Sequence, residues 1–438
     1  MDKPLVAILG RPNVGKSTIF NRIAGERISI VENEPGVTRD RIYSDAEWLD
    51  RRFTLIDTGG IDPQQADEIH RQMMYQAQLA AETADVILFI VDGREGLNPI
   101  DMEVAEYIRR TKKPVVLAVN KIDNAKHDLN ASEFYALGMG KPFTVSGEHG
   151  LGIGDMLDEV IKDFPDSDAD EEEDEQLKIA VVGKPNAGKS SLVNAILRQE
   201  RTIVSNIPGT TRDAIDTPFE RDGQKYIIID TAGIRRKRSI EEQSVEHYGV
   251  IRALAAIRRC DVALLVIDAS DGITEQDVKI GGFIHEQGKA SAIIVNKWDL
   301  IEKDTHTVEI FNRQIQREYA FMDYAPILYI SAKTGQRVNK VIEEVKKIDA
   351  ITRTRIPTGM VNDILAQATA VKQPPSDKGR RLKLFYCTQV EVKPPTFTLF
   401  VNDAKLMHYS YLRYIENSFR KAFDFTGTPI KIRLKNRG

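Results

Sequence analysis

The sequence carries the same phosphate-binding loop twice. Gly10-Arg11-Pro12-Asn13-Val14-Gly15-Lys16-Ser17-Thr18 recurs as Gly183-Lys184-Pro185-Asn186-Ala187-Gly188-Lys189-Ser190-Ser191, offset by 173 residues from Gly10 to Gly183. Thr38 and Thr211 keep that offset, as do Asp57 and Asp230; from Asn120 to Asn296 it is 176, a drift that small loop insertions produce. One such loop is a weak signal, whereas two ordered sets of signals in one register are a repeat. The chain is therefore expected to build two nucleotide-binding domains of one design.

The chemistry of each signal follows from what a nucleoside triphosphate presents. Glycines let backbone N–H groups approach phosphate oxygens at the amino end of a helix. Lys16 and Lys189 are placed to reach the β- and γ-phosphates, and the hydroxyls of Ser17 and Ser190 to bind Mg²⁺. Thr38 lies in Pro35-Gly-Val-Thr-Arg-Asp40 and Thr211 in Pro208-Gly-Thr-Thr-Arg-Asp213. A threonine in such a segment binds Mg²⁺ and senses the γ-phosphate. Asp57-Thr-Gly-Gly60 and Asp230-Thr-Ala-Gly233 each follow an apolar run. Their aspartates are expected to contact Mg²⁺, usually through water, and the N–H groups of Gly60 and Gly233 to meet the γ-phosphate.

Base choice comes from Asn120-Lys121-Ile122-Asp123 and Asn296-Lys297-Trp298-Asp299. A carboxylate accepts two hydrogen bonds from N1–H and the 2-amino group of guanine. Adenine offers no matching donors and leaves the carboxylate without partners, so GTP is favoured over ATP. Ser331-Ala332-Lys333 supports the base at the second site, where the first has Ser146-Gly147-Glu148. Lys16, Thr38, Gly60, Lys189, Thr211 and Gly233 form the expected catalytic set, acting by positioning and electrostatics. The residue after each Asp-x-x-Gly is Ile61 or Ile234, which cannot orient an attacking water as a glutamine would.

The remaining pattern sets the architecture. Leu5–Leu9, a Gly-rich turn and Ser17–Ala24 read as strand, loop and helix. The runs Phe53–Asp57, Val86–Asp92 and Val115–Asn120, repeated as Lys178–Val182, Ile227–Asp230, Val262–Asp268 and Ala292–Asn296, are nearly continuous apolar strands. Such strands belong to parallel sheets covered on both faces. The fold class is α/β: two doubly wound P-loop domains, 1–165 and 176–352, with sites at the carboxyl ends of their strands. Between them, eight of the ten residues 166–175 are acidic, and no large apolar residue is available to bury. That composition predicts an extended linker, or alternatively a lure for a basic partner.

Residues 353–438 form a third domain. Met360–Ala370 reads as helix, Pro374–Gly379 as loop, Leu382–Val392 and Thr396–Val401 as strands, Tyr411–Phe423 as amphipathic helix and Ile430–Leu434 as strand. Residues 351–438 hold 16 Lys+Arg against 6 Asp+Glu, net +10, and residues 1–350 hold 45 against 59, net −14. A basic tail on an acidic body predicts a polyanionic partner, nucleic acid above all. Two widely separated cysteines, Cys260 and Cys387, fit a reducing cytoplasm. No apolar run reaches the ~20 residues of a membrane span. The amino terminus enters the first loop too soon for a signal peptide, so no membrane is expected.

Tandem loops, an acidic linker, both Pro-Gly-x-Thr-Arg-Asp segments and the small terminal domain together resemble the bacterial tandem GTPase family Der, also called EngA, from about Leu5 to Arg433. The resemblance implies GTP hydrolysis serving assembly of the large (50S) ribosomal subunit, with Mg²⁺ and stimulation by K⁺. It also implies a KH-like terminal domain packed between the two P-loop domains, and the large subunit with its ribosomal RNA is the partner expected. Leaning on the same resemblance, Asn13 and Asn186 help hold the K⁺; as residues alone they serve equally as turn formers. A cytoplasmic monomer, open to a protein regulator, is expected. One departure stands out: RNA-binding KH domains clamp backbone with Gly-x-x-Gly, and residues 353–438 contain none. A rival reading is a nucleotide-gated RNA-binding scaffold whose hydrolysis is incidental.

Overall fold

The computed structural model describes residues 3–25, 43–59, 66–123, 128–164, 176–199, 216–231, 242–377 and 380–437. The acidic stretch 166–175 lies outside them. By contact the chain divides into two compact units, Met1–Glu173 with Arg238–Ala255, and Asp174–Lys237 with Ala256–Gly438.

The first unit is built on β1 (Leu5–Leu9), α1 (Lys16–Gly25), β2 (Tyr43–Trp48), β3 (Arg51–Asp57), α2 (Ala66–Thr83), β4 (Val86–Asp92), α3 (Pro99–Thr111), β5 (Val115–Asn120), β6 (Phe143–Thr144) and α4 (Ile153–Lys162). Its sheet runs β2-β3-β1-β4-β5-β6. All neighbours are parallel except β2 on β3. Every residue of β4 is buried, as a strand covered on both faces requires. Val6, Ile8, Leu88, Ile90 and Ala118 pack with Ile19, Phe20, Met156 and Val160 in one core.

The second unit repeats the plan with β7 (Leu177–Val182), α5 (Lys189–Gln199), β8 (Thr217–Arg221) and β9 (Gln224–Ile229), then, after α6 (Glu242–Arg259), whose residues up to Ala255 count with the first unit, β10 (Val262–Asp268), α7 (Glu275–Glu286), β11 (Ala290–Asn296), α8 (Thr307–Glu318), β12 (Ile327–Tyr329) and α9 (Asn339–Thr352). The sheet order is β12-β11-β10-β7-β9-β8, with only β8 antiparallel. The sequence signals pick out neither β2 nor β8. Both are edge strands of mixed exposure, without the apolar run that marks the others. The predicted strand to Asp230 stops at Ile229, because Asp230 turns to φ 55°.

The same unit carries the terminal domain: α10 (Thr358–Val371), β13 (Ser376–Asp377), β14 (Arg380–Arg381), β15 (Leu384–Val392), β16 (Pro395–Val401), α11 (Tyr409–Ala422) and β17 (Lys431–Asn436). The expected loop Pro374–Gly379 is corrected in part, since Ser376–Asp377 pairs antiparallel with Arg380–Arg381. The three-stranded sheet β15-β16-β17 buries Cys387, Phe397, Leu399 and Val401 against Val361, Leu365, Tyr411, Ile415 and Phe419 of α10 and α11. Backbone bonds join this domain to the second P-loop sheet: Ser291 N–H to Gly427 O at 2.7 Å and Gly427 N–H to Tyr324 O at 2.8 Å. Lys393 Nζ lies 3.3 Å from Asp261 and 3.4 Å from Asp349. Among the described residues, no helix is long and apolar enough to cross a membrane.

Candidate functional site

In each P-loop domain the central strand ends, the chain turns, and a helix begins at Lys16 or Lys189. The turns match at two backbone positions, though Gly183 stands at φ 142° and Gly10 has no positive φ. Asn13 and Asn186 both stand at φ 65°, while Gly15 and Gly188 stand at 94° and 90°. Asparagine is among the few side chains at ease there, which supports the turn-forming role. A Cβ on Gly15 or Gly188 would collide with Nδ2 of Asn120 or Asn296. That approach is used. Asn120 Nδ2 donates to Val14 O at 2.7 Å, and its Oδ1 accepts from Gly147 N–H at 2.9 Å. Asn296 does the same with Ala187 O at 2.9 Å and Ala332 N–H at 2.9 Å. One buried amide thus ties the phosphate loop to the base loop in each site.

The lysines lie back over their own loops. Lys16 Nζ donates to Gly10 O and Arg11 O, both at 2.8 Å, and Lys189 Nζ to Gly183 O and Lys184 O, both at 2.6 Å. Each ammonium is therefore held over its own turn at the amino end of the helix. Val14 and Ala187 are buried beneath the turns, Pro12 and Pro185 are half-buried, and Thr18 and Ser191 are exposed. Ser17 Oγ donates to Asp57 Oδ2 at 3.2 Å, so two hard oxygen donors fit for Mg²⁺ converge at the first site. At the second, Asp230 is held by its backbone: its N–H donates to Asp216 Oδ1 at 3.0 Å, and Ser190 is half-buried nearby in sequence register.

Thr38, Gly60, Thr211 and Gly233, with Ile61 and Ile234, lie outside the described residues.

The base loops are similarly matched. Ser146 Oγ donates to Asp123 Oδ1 at 2.7 Å. The bonds from Ser146 and from Arg94 hold the Asp123 carboxyl below the ordinary aspartate value. At the second site Ser331 does this to Asp299, helped by the charges of Lys333 and Lys303. Asp299 Oδ1 is buried and has no hydrogen-bond partner among the described residues. A buried carboxylate oxygen left this way is costly unless a ligand donor meets it. Guanine supplies such donors, so the residues fit the nucleotide. Lys333 itself is exposed.

The acidic partners of several motif residues were not singled out in sequence. Lys121 Nζ lies 2.5 Å from Asp92 Oδ2, and Lys297 pairs likewise with Asp268. Burial pushes the Asp92 carboxyl up, but Lys121 and the N–H groups of Arg94 and Glu95 outweigh it and bring it below its ordinary value. Arg11 Nε reaches both oxygens of the fully buried Asp101 at 3.0 Å, and its Nη1 reaches Glu95 at 3.0 Å. Lys184 takes the same post, with Nζ 3.1 Å from Asp271 and its N–H 3.4 Å from Asp277. These carboxylates, Asp92, Glu95 and Asp101, recur 176 residues on as Asp268, Asp271 and Asp277. The repeat itself was the signal that could have found them.

Comparison with known proteins agrees with this geometry. Residues 5–121 and 178–297 match the family described as "50S ribosome-binding GTPase". Residues 355–435 match "KH-domain-like of EngA bacterial GTPase enzymes, C-terminal". The chain is 58% identical over 437 residues to GTPase Der of Alkaliphilus oremlandii, covering 100% of this chain and 99% of that protein. It is 58% identical over 438 residues to GTPase Der of Ruminiclostridium cellulolyticum, with 100% and 99% covered, and 57% identical over 437 residues to that of Clostridium tetani, with 100% of both covered. Full-length likeness at this level, over two sites shaped for a guanine nucleotide and a KH-like terminal domain, places the chain in the Der family of GTP-hydrolysing enzymes.

Proposed function

We propose that this GTPase acts in the maturation of the large ribosomal subunit in the cytoplasm, as a monomer whose terminal domain touches ribosomal RNA. The observation that carries the reading is the pairing of two domains that match a 50S ribosome-binding GTPase family with a terminal domain of net +10, from 16 Lys+Arg and 6 Asp+Glu in residues 351–438. Sequence-independent attraction to RNA phosphates is the ordinary consequence of such charge. The domains divide the chain as 1–165, 176–352 and 353–438, with 166–175 as linker.

Hydrolysis at both sites then proceeds by positioning. Lys16 and Lys189 hold positive charge where the β- and γ-phosphates lie, and Gly60 and Gly233 present N–H groups to the γ-phosphate. Ser17, Thr38 and Asp57, and Ser190, Thr211 and Asp230, are the residues that hold Mg²⁺, which when bound neutralises developing phosphate charge. Asp123 and Asp299 read guanine, kept in line by Asn120, Asn296, Ser146 and Ser331. Asn13 and Asn186, exposed at the crest of each turn, hold K⁺ beside the phosphates in place of the glutamine that Ile61 and Ile234 cannot supply.

Sucrose-gradient sedimentation with isolated large subunits tests the reading. Co-migration is expected with a non-hydrolysable GTP analogue and release with GDP. Absence of co-migration in both states overturns the ribosomal role. Full growth support by a variant that binds GTP without hydrolysing it would instead favour the RNA-binding scaffold.

A further inference from the structure

Helices α10 and α11 cover one face of the terminal sheet β15-β16-β17; on the other, the end at Thr396 and Lys431 is closed by burial of Thr396 and by Gly288 against Lys431. Strand register lays Tyr386, Phe400 and Lys435 in a single row across the opposite face. The rings of Tyr386 and Phe400 stack at 4.2 Å with 11° between planes, and Lys435 Nζ stands 5.9 Å from the Phe400 ring centre. A bulge between Leu384 and Tyr386 inserts Phe385, and the Arg437 guanidinium lies 5.0 Å from its ring centre. Phe385 is 41% and Tyr386 40% exposed; Tyr135 is the other large aromatic so exposed among the described residues. Two of three exposed aromatics therefore sit side by side, within a cation-flanked aromatic cluster. Tyr386 is on the edge strand, so no further strand of the sheet flanks its ring on the outer side.

A cross-strand aromatic pair stabilises a sheet, and that alone accounts for one such contact. It does not account for exposed rings being combined with Lys435 and Arg437; the neighbouring Arg433 is held by Glu391 at 2.7 Å. Flat π-faces between cations are the recognition chemistry of single-stranded nucleic acid: bases extend the ring stack and phosphates meet the cations. An acidic protein surface would use the charge but not the planes.

We propose that this open sheet face is a stacking site for unpaired RNA bases, with a base lying on the outer face of Tyr386, the column continuing through Phe400, and Lys435 and Arg437 meeting the backbone. The site lies opposite the helical face and uses no Gly-x-x-Gly clamp, which residues 353–438 lack. It rests on the ribosomal RNA reading for the identity of its natural ligand, and on the sheet alone for its chemistry.

The test titrates the full chain with fluorescein-labelled oligo(A), an unstructured RNA, by anisotropy at several salt concentrations. Tyr386→Ser is expected to weaken binding at least about fivefold while leaving the salt slope unchanged, since a ring releases no counterions. Lys435→Gln is expected to flatten the slope. Tyr386→Trp should restore affinity and show tryptophan quenching as RNA is added. An unchanged thermal melt for Tyr386→Ser separates lost stacking from lost fold, and Tyr386→Trp repeats the test should the serine variant melt early. If Tyr386→Ser and Lys435→Gln both bind oligo(A) as the parent does, the stacking site is refuted; if charge reversal elsewhere on the tail still weakens subunit association, the ribosomal reading survives that result. If Tyr386→Ser keeps oligo(A) affinity but loses subunit association, the face docks a protein and the proposal is overturned. If the parent binds oligo(A) through Tyr386 but never sediments with large subunits, stacking stands and the ribosomal reading falls.

Discussion

Arg22 reaches from α1 to the first base loop, where its Nε donates to Gly147 O at 2.7 Å and its Nη2 to Glu148 O at 2.5 Å. The matching position on α5 is Ala195. The two sites therefore hold their base loops differently. Ser146-Gly147-Glu148 is braced from the phosphate-loop helix, and Ser331-Ala332-Lys333 has no arginine at that post. Arg22→Ala is expected to raise the GTP dissociation constant of the first site about fivefold, from the loss of roughly 1 kcal/mol of charged hydrogen bonding at a half-exposed position. The second site should be untouched. Titration with a fluorescent GTP analogue, in chains with the other site disabled, reads each separately; equal weakening at both sites would falsify the brace.

Asp123→Asn and Asp299→Asn should each lower GTP affinity at their own site by at least about a hundredfold and shift preference toward xanthine nucleotides. Xanthine carries an oxygen where guanine carries its 2-amino group, and an amide can donate to it. Competition titrations with GTP and XTP decide the matter. Undiminished GTP binding at the altered site would remove these residues from base recognition.

Turnover should be faster in K⁺ than in Na⁺ at matched ionic strength. Both asparagines occupy the same left-handed turn at φ 65° with exposed side chains. Asn186→Ala is expected to lose the K⁺ response while GTP affinity changes little. Phosphate release measured in the two salts is the check, and identical rates for the parent protein defeat the cation role.

Charge reversal at Arg380 and Arg381 should weaken large-subunit association and flatten its salt dependence. Both side chains are exposed on the small hairpin, Arg380 Nη1 lying 3.6 Å from Asp403 and Arg381 Nη2 2.7 Å from Gln373 Oε1. Such surface contacts contribute little stability, so the fold and GTP hydrolysis should persist. Subunit-binding curves across salt concentrations measure the slope, which counts phosphate contacts. An unaltered slope would show that these arginines touch no phosphate.

Neither cysteine should react with a thiol reagent in the native protein near neutral pH. Both are buried, and burial pushes the Cys387 thiol up to about 12. The reactive thiolate is then scarce at working pH and grows only as pH climbs toward that value. Thiol titration should count two groups after unfolding and none before it; rapid native labelling of Cys387 would contradict the burial.

What the sequence determined by itself is whatever is local in the chain. Gly10 to Ser17 and Gly183 to Ser190 dictate a turn opening a helix, and the apolar runs dictate buried parallel strands, because each depends on neighbours a few residues away. The repeat doubled every such signal. Partnership across long separations is a different matter. That Asn120 would bridge Val14 to Gly147, that Arg11 would find Asp101, and that Arg22 would brace the first base loop alone were decided by the tertiary structure. So was the exposed row of Tyr386, Phe400 and Lys435, which exists only once three strands take their register. Periodicity says which residues alternate along one strand. It does not say which strand lies beside it, and that choice, made by the packing of the whole core, is what turns scattered side chains into a site.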